Sequence, residues 1–250
     1  MGSKENVLVV LGTGLESVFE PDDLSGPTSI SIEFGSVEID YAKSLGVYIM
    51  MRHGPQHAIP PHLINYRANF ASARKLGILS IIATSSVGSL RPSIPVGCYV
   101  VLDQFIDFTR NRPFSIYYDK PEDFSHTDMT EPYSERVRHA LLSSLKKNHV
   151  RSFRPRGTYV CTEGPRFETP AEIRMFSRLG GDVVGMTGVP EVVIANELGL
   201  EYANLAVVCN MAAGLQKGKM NPQKVVGQME KRAKKTMSIL RDAIRVLKSS

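Results

Sequence analysis

The sequence predicts a mainly parallel α/β sandwich, and three observations carry that prediction. Short apolar runs of strand length alternate with longer segments of helical periodicity along the whole chain. Several runs stop at glycine- or hydroxyl-rich turns, the composition expected at the carboxyl ends of parallel strands. No internal repeat, linker or low-complexity segment divides the chain, so residues 1–250 are read as a single domain.

Asn6–Leu11 (NVLVVL) is a short buried strand. The Gly12-Thr13-Gly14 that follows either brings backbone and a hydroxyl close to an anion or forms a plain tight turn. It is not the GxGxxG dinucleotide fingerprint. Ser29–Glu33 and Val47–Met51 are strands, and the second delivers Arg52-His53-Gly54. Arg52 presents a planar fork that suits phosphate oxygens, or equally a surface ion pair. A helix opens within Pro60–Tyr66 and ends at Gly77, a good C-cap. The buried strand Ile78–Ala83 then runs into Thr84–Ser89, read as a ligand loop or a polar turn.

Gly97–Phe108 reads as one long strand. The irregular segment Thr109–Met129 is longer than most connections in a compact domain, which marks it as functional; it carries Phe114, Tyr117, Tyr118, Phe124 and His126. Helix Glu131–His149 and strand Gly157–Thr162 follow.

The chain is organised around Cys161–Glu191. Thr169-Pro170-Ala171-Glu172 is a capping box with proline at the first helical position. Glu168 therefore stands at a helix start, where the helix dipole favours its charged form. Asp182–Met186 is a short strand leading through Thr187-Gly188 into a helix from near Pro190 to Gly199. Thr187, at that entrance, is placed for a hydroxyl and backbone N–H groups to meet an anion. Strand Tyr202–Cys209 carries Asn210 just past its end. Leu215–Met220 is a Lys/Gly-rich candidate lid, and Asn221-Pro222 caps one final helix to about Leu247. One polar station suits a neutral polar ring and the other suits phosphate, so a nucleoside and phosphate are expected to share one cleft.

Composition narrows the class. Hydrophobic content of 42% with 22% charged residues is ordinary for a soluble globular chain. Met1–Asn6 is polar and Val7–Leu11 is too short for a signal peptide, and no apolar run approaches a membrane span. Cys98, Cys161 and Cys209 lack metal-ligand spacing and read as buried reduced thiols, which implies the cytoplasm. The net charge of +5 is uneven: from Lys217 onwards there are ten basic residues and two acidic ones. Without interleaved aromatics that stripe reads as the solvated face of a terminal helix rather than a nucleic-acid surface.

Arg52-His53-Gly54-Pro55-Gln56-His57, Asn65-Tyr66-Arg67-Ala68-Asn69, Glu163–Glu172 (EGPRFETPAE) and Val183–Glu191 (VVGMTGVPE), in that order, are highly specific together. On them the chain resembles the trimeric purine nucleoside phosphorylases and their methylthioadenosine phosphorylase branch. The resemblance covers nearly the whole chain, from Gly12 to Gly214. It implies a mixed, partly barrel-like central sheet flanked by helices and a homotrimer, or a dimer of trimers, with sites beside the subunit interfaces. The implied reaction is reversible phosphorolysis of a purine nucleoside to free base and ribose 1-phosphate. Phosphate is a co-substrate, and no metal, organic cofactor, nucleic acid or membrane is implied. By position, the phosphate shell would be Thr13, Arg52, His53, Ser85, Ser86 and Thr187. Met186 would lie against the ribose, Phe167 would stack beside base or sugar, and Glu168 and Asn210 would recognise the purine. His126 resembles the residue that reaches a neighbouring subunit's sugar 5′ end.

Departures from the methylthioadenosine branch bear on the substrate. Relatives in that branch carry a small hydroxyl residue where Glu168 stands and aspartates around Asn210. The present pattern instead matches enzymes acting on inosine, guanosine or methylthioinosine. An ionised Glu168 is a matched acceptor for the N1–H of a 6-oxopurine, whereas adenine N1 presents a lone pair. Such a mismatch can discriminate by about 10⁴-fold in favourable cases. The expected activity is therefore purine salvage on 6-oxopurine nucleosides, with methylthioinosine and then methylthioadenosine as alternatives. A hydrolytic nucleosidase would need a dedicated base for water, and a non-catalytic sensor would need loss of the phosphate shell; neither feature is found.

Overall fold

In the computed structural model, residues 5–15, 18–119, 122–216 and 218–249 are described, Pro21 by its backbone alone. Lys217 of the candidate lid and residues 1–4 of the polar amino-terminal stretch lie outside the described residues.

The strands are β1 (Asn6–Leu11), β2 (Thr28–Ile32), β3 (Gly35–Ala42), β4 (Val47–Met51), β5 (Ile78–Ser89), β6 (Tyr99–Val101), β7 (Gln104–Phe108), β8 (Phe153–Arg154), β9 (Thr158–Thr162), β10 (Val183–Gly185) and β11 (Glu201–Met211). The helices are α1 (Tyr66–Lys75), α2 (Glu135–Lys147), α3 (Pro170–Arg178), α4 (Gly188–Glu197), α5 (Pro222–Glu230) and α6 (Ala233–Ser249). One mixed sheet holds the strands, with β2–β3, β3–β4, β5–β10 and β6–β11 antiparallel and the other pairs parallel. It is less parallel than the sequence suggests. Side chains alternate across it with the strand period of two: Leu8 and Val10 face one core, Val7, Val9 and Leu11 the other. Helices α1 and α4 cover the first face, α2 and α6 the second.

Part of the sheet closes on itself. β5 pairs β11, β11 pairs β6, β7 pairs β9, β9 pairs β10, and β10 returns to β5. The link between β6 and β7 is a kink at Leu102-Asp103, so Gly97–Phe108 is two short strands rather than one. There Leu102 N–H bonds to the Asn204 carbonyl and Asp103 N–H to that of Gly157, which turns the ladder from one neighbour to the next.

Four further boundaries differ from expectation. The segment Thr84–Ser89 continues strand β5 instead of forming a loop, because β11 pairs with it along its length. α1 starts at Tyr66, capped by the Asn65 side chain, after a separate one-turn helix at Pro61–Leu63. α2 starts only at Glu135, where the Ser134 hydroxyl accepts from Val137 N–H. The terminal helix is two, α5 and α6, with Lys231-Arg232 between them. Lys234, Lys235, Arg241 and Arg245 on α6 are exposed, as the solvated-face reading requires. Among the described residues no helix is long and apolar enough to cross a membrane.

Candidate active site

The site begins with a gap in strand pairing. Along one edge of β5, β1 pairs as far as Ala83 and β10 pairs only at Gly88-Ser89. The edge between them is met by loops and side chains. Gly12 N–H donates to Thr84 Oγ1 at 3.0 Å, and Arg52 Nη1 donates to the Thr84 carbonyl at 2.6 Å. Glycine is required at position 12, since a Cβ there would stand 2.7 Å from the Thr84 carbonyl oxygen and 2.8 Å from Arg52 Nη1. The Gly-Thr-Gly segment is a tight turn, and the close approach that Gly12 permits is to the Thr84 carbonyl and Arg52.

A cavity of about 330 Å³ opens over this gap, a size suited to a small ligand. Its wall includes Thr13, Arg52, His53, Ser86 and Thr187 on the expected phosphate side. Phe167, Glu168, Met186 and Asn210 line the same cavity. Nine of the eleven residues singled out from the sequence therefore come together. Ser85 is buried, and its hydroxyl accepts from Asn204 Nδ2 at 2.9 Å rather than lining the cavity. Strand alternation explains this, because Ser85 and Ser86 project to opposite sides of β5. His126 is exposed beside Phe124 and does not line this chain's cavity.

Arg52 is buried in an ion pair, not a surface one. Nε and Nη2 donate to the two carboxylate oxygens of Glu191, at 2.5 and 2.8 Å. Burial alone would lower the Arg52 pKa, but the Glu191 charge outweighs it and holds the guanidinium above its ordinary value. His53 Nδ1 lies 2.8 Å from the Ile59 carbonyl, so that nitrogen carries the proton.

Thr187 is the N-cap residue of α4 as expected, yet the N–H groups there are taken. Thr187 and Gly188 N–H both donate to the buried Tyr159 hydroxyl, at 3.1 and 3.3 Å. The hydroxyl of Thr187 is left as its polar contribution to the cavity wall.

Glu168 lies just before the capping box of α3, which Thr169 and Glu172 complete between themselves. One carboxylate oxygen accepts from Thr162 Oγ1 at 2.7 Å. Burial pushes the Glu168 pKa up, and this outweighs the help of Thr162 and of its own backbone N–H. The helix start does not offset that burial, so the Glu168 pKa stays above the ordinary carboxylate value. Asn210, expected just past the strand, lies inside β11, which runs on to Met211, and it reaches the cavity through a β-bulge: Val208 pairs with Val87 and Asn210 with Gly88, leaving Cys209 as the extra residue.

Several contributors were missed from the sequence. Arg112, in the long polar loop, is 3% exposed. It donates to the carbonyls of Thr162 and Met186 and to Glu163 Oε1, so it clamps together the ends of β9 and β10. Nothing local distinguishes it from a solvated arginine. Glu191 had a signal: it is a charged residue set within the apolar run Val189–Ala195 of α4. Met220, Pro222, Val225 and Val226 add apolar side chains to the cavity lining, which His57 and Pro61 also reach.

A model of the phosphorylase superfamily matches residues 9–245. A 6-oxopurine nucleoside phosphorylase from Pyrococcus furiosus is 42% identical over 95% of this chain and 91% of its own length. A probable S-methyl-5′-thioinosine phosphorylase from Methanothermobacter thermautotrophicus is 45% identical over 96% of this chain and 84% of its own. Among solved structures, methylthioadenosine phosphorylase from Schistosoma mansoni in complex with adenine superposes with a TM-score of 0.91, at 28% identity, over 99% of this chain and 93% of that one. The chain belongs to the phosphorylase superfamily, among its nucleoside phosphorylases.

Proposed function

We propose that the protein is a 6-oxopurine nucleoside phosphorylase acting on inosine and guanosine in cytoplasmic purine salvage, its whole length one catalytic domain. The observation that carries this reading is the convergence of Glu168 and Asn210 on one cavity with the Arg52 group. Thr162 occupies one Glu168 oxygen and leaves the other to accept from a purine N1–H. Asn210 donates toward N7. Arg52, His53, Thr13, Ser86 and Thr187 hold phosphate beneath the sugar. The C1′–N9 bond breaks with its electron pair leaving on the purine, a phosphate oxygen bonds to C1′, and N7 takes a proton from solvent. Preorganised donors of this kind are each worth about 10²–10³ in rate. The chemistry uses phosphate as co-substrate and calls on no metal or organic cofactor.

The apolar lining residues Met220, Pro222, Val225 and Val226 favour a second reading, S-methyl-5′-thioinosine as substrate, because a methylthio group suits apolar side chains better than a hydroxyl does. Assays with inosine, guanosine, methylthioinosine and methylthioadenosine, each with and without phosphate, separate these readings. Preference for methylthioadenosine, or full turnover in phosphate-free buffer, overturns the proposal.

A further inference from the structure

Behind the phosphate side of the cavity, Arg52 is joined to a line of buried polar side chains that the reaction above does not use. Arg52 directs Nε and Nη2 to Glu191 and Nη1 to the Thr84 carbonyl. The Tyr202 hydroxyl donates to Glu191 Oε2 at 2.7 Å. Asn204 Nδ2 donates to the Tyr202 oxygen at 3.1 Å and to Ser85 Oγ at 2.9 Å. Arg52, Glu191, Tyr202, Asn204 and Ser85 are all at least nine-tenths buried.

From Asn204 on one side and Arg52 on the other, the donors converge on Glu191. Asn204 donates to Tyr202, Tyr202 donates to Glu191, and Arg52 donates to Glu191 from the other side. Only an ionised carboxylate accepts from the guanidinium fork and the phenol together. Burial, and then the neighbouring Glu191 charge, push the Tyr202 pKa well up, which keeps that phenol a donor. A guanidinium has five N–H groups, and three are engaged. One remains on each Nη, and their directions are fixed once the fork is locked on Glu191. The Arg52–Glu191 pair is neutral as a unit, so it would hold an anion by aimed hydrogen bonds more than by net charge.

We propose that Glu191 is a positioning residue for phosphate, held in turn by Tyr202 and Asn204. It sets the aim of the two remaining Arg52 N–H groups. The same line ties Arg52, at the end of β4, to Ser85, the neighbour of Ser86 on β5, so the two flanks of the gap keep one spacing. The inference rests on the reading of Arg52 as a phosphate donor. A buried ion pair that served the fold alone would lower stability when broken and move both Michaelis constants together.

The test is steady-state kinetics with phosphate and the preferred nucleoside varied in turn, on Arg52→Lys, Glu191→Gln and Tyr202→Phe. Arg52→Lys tests the underlying reading and should raise the phosphate KM about tenfold or more. Tyr202→Phe keeps the ring packed against Phe70 and Tyr133 and so keeps the fold. It should raise the phosphate KM about fivefold, part of the worth of one hydrogen bond to a charged group, with the nucleoside KM within about twofold. Glu191→Gln should do the same more strongly; if it fails to fold, Tyr202→Phe decides. An unchanged phosphate KM in Arg52→Lys would overturn the phosphate reading and the relay with it. A raised one there, with Tyr202→Phe unaffected or shifted equally for both substrates, overturns the relay alone.

Discussion

At the scale of single residues, the proposed base recognition would rest on two groups whose protonation chemistry differs. Asn210 cannot ionise, and its amide donates in any pH range. One Nδ2 proton is engaged by the Met211 carbonyl at 3.0 Å, which fixes the amide plane. Asn210→Asp replaces that donor with a charged acceptor facing purine O6 and N7. We expect kcat/KM for inosine to fall by about 10²-fold, the scale of one transition-state donor. Methylthioadenosine should lose less, because a protonated aspartate could donate to N7 and accept from the 6-amino group. The ratio of kcat/KM for 6-oxo and 6-amino substrates is the measurement, and an unchanged ratio would place Asn210 away from the base. Glu168, by contrast, titrates. Its folded pKa is raised, so the stability linked to its protonated form is present below the ordinary carboxylate pKa and lost as pH rises through the folded value. Recognition of N1–H runs the other way and needs the charged form. The kcat/KM for inosine should therefore fall, as pH drops, with an apparent pKa above the ordinary carboxylate value. Glu168→Gln should remove that limb of the profile; if the limb persists, another group causes it.

At the scale of elements, the site depends on segments that the sequence makes legible to different degrees. The apolar strands β1 and β4 and the capping box of α3 were read correctly from their own residues, because burial and capping are local signals. Strand β3 was missed although it carries a local signal, the alternation of polar Ser36, Glu38 and Asp40 with apolar Val37 and Ile39; only its pairing with β2 and β4 is not a local property. The bulge at Cys209 and the continuation of β5 through Ser89 also come from pairing with a distant strand. Arg112 is the largest such omission. A loop arginine becomes structural only when β9 and β10 end beside each other and turn their carbonyls toward it. Arg112→Met should leave the carbonyls of Thr162 and Met186 without their donor and lower stability by about 3 kcal/mol, the scale of breaking a buried charged contact. The midpoint of denaturant unfolding measures this. Because Met186 and Glu168 flank the same junction, the nucleoside KM should rise in the folded variant while the phosphate KM changes less. Equal changes in both constants would mean that Arg112 supports the fold without orienting the nucleoside side.

At the scale of the whole molecule, the long loop is anchored at its start and open toward solvent at its far end. Arg112 fixes one point, Ile116 N–H bonds to Glu197 at 2.7 Å, and Arg67 pairs with Asp119 at 2.6 Å. Beyond these anchors Phe124 is 59% exposed and His126 is exposed with it, while Phe114 and Tyr118 show 54% and 55% of their surface. Large aromatic side chains left bare in this way are what a subunit contact would cover. We expect a trimer in which His126 serves the neighbouring subunit's ligand, since it stands outside the cavity of its own chain. The consequence is testable by complementation. His126→Ala and Arg52→Ala impair different halves of such a site. After dissociation and reassembly together, some sites pair an intact Arg52 from one subunit with an intact His126 from the next. Activity should recover to a fraction of wild type, and the recovered sites should depend on both residues. If light scattering confirms mixed trimers and no activity returns, each chain's site is complete by itself and His126 acts elsewhere. If the protein remains monomeric and fully active, the exposed aromatics have another role and the shared site falls with the trimer.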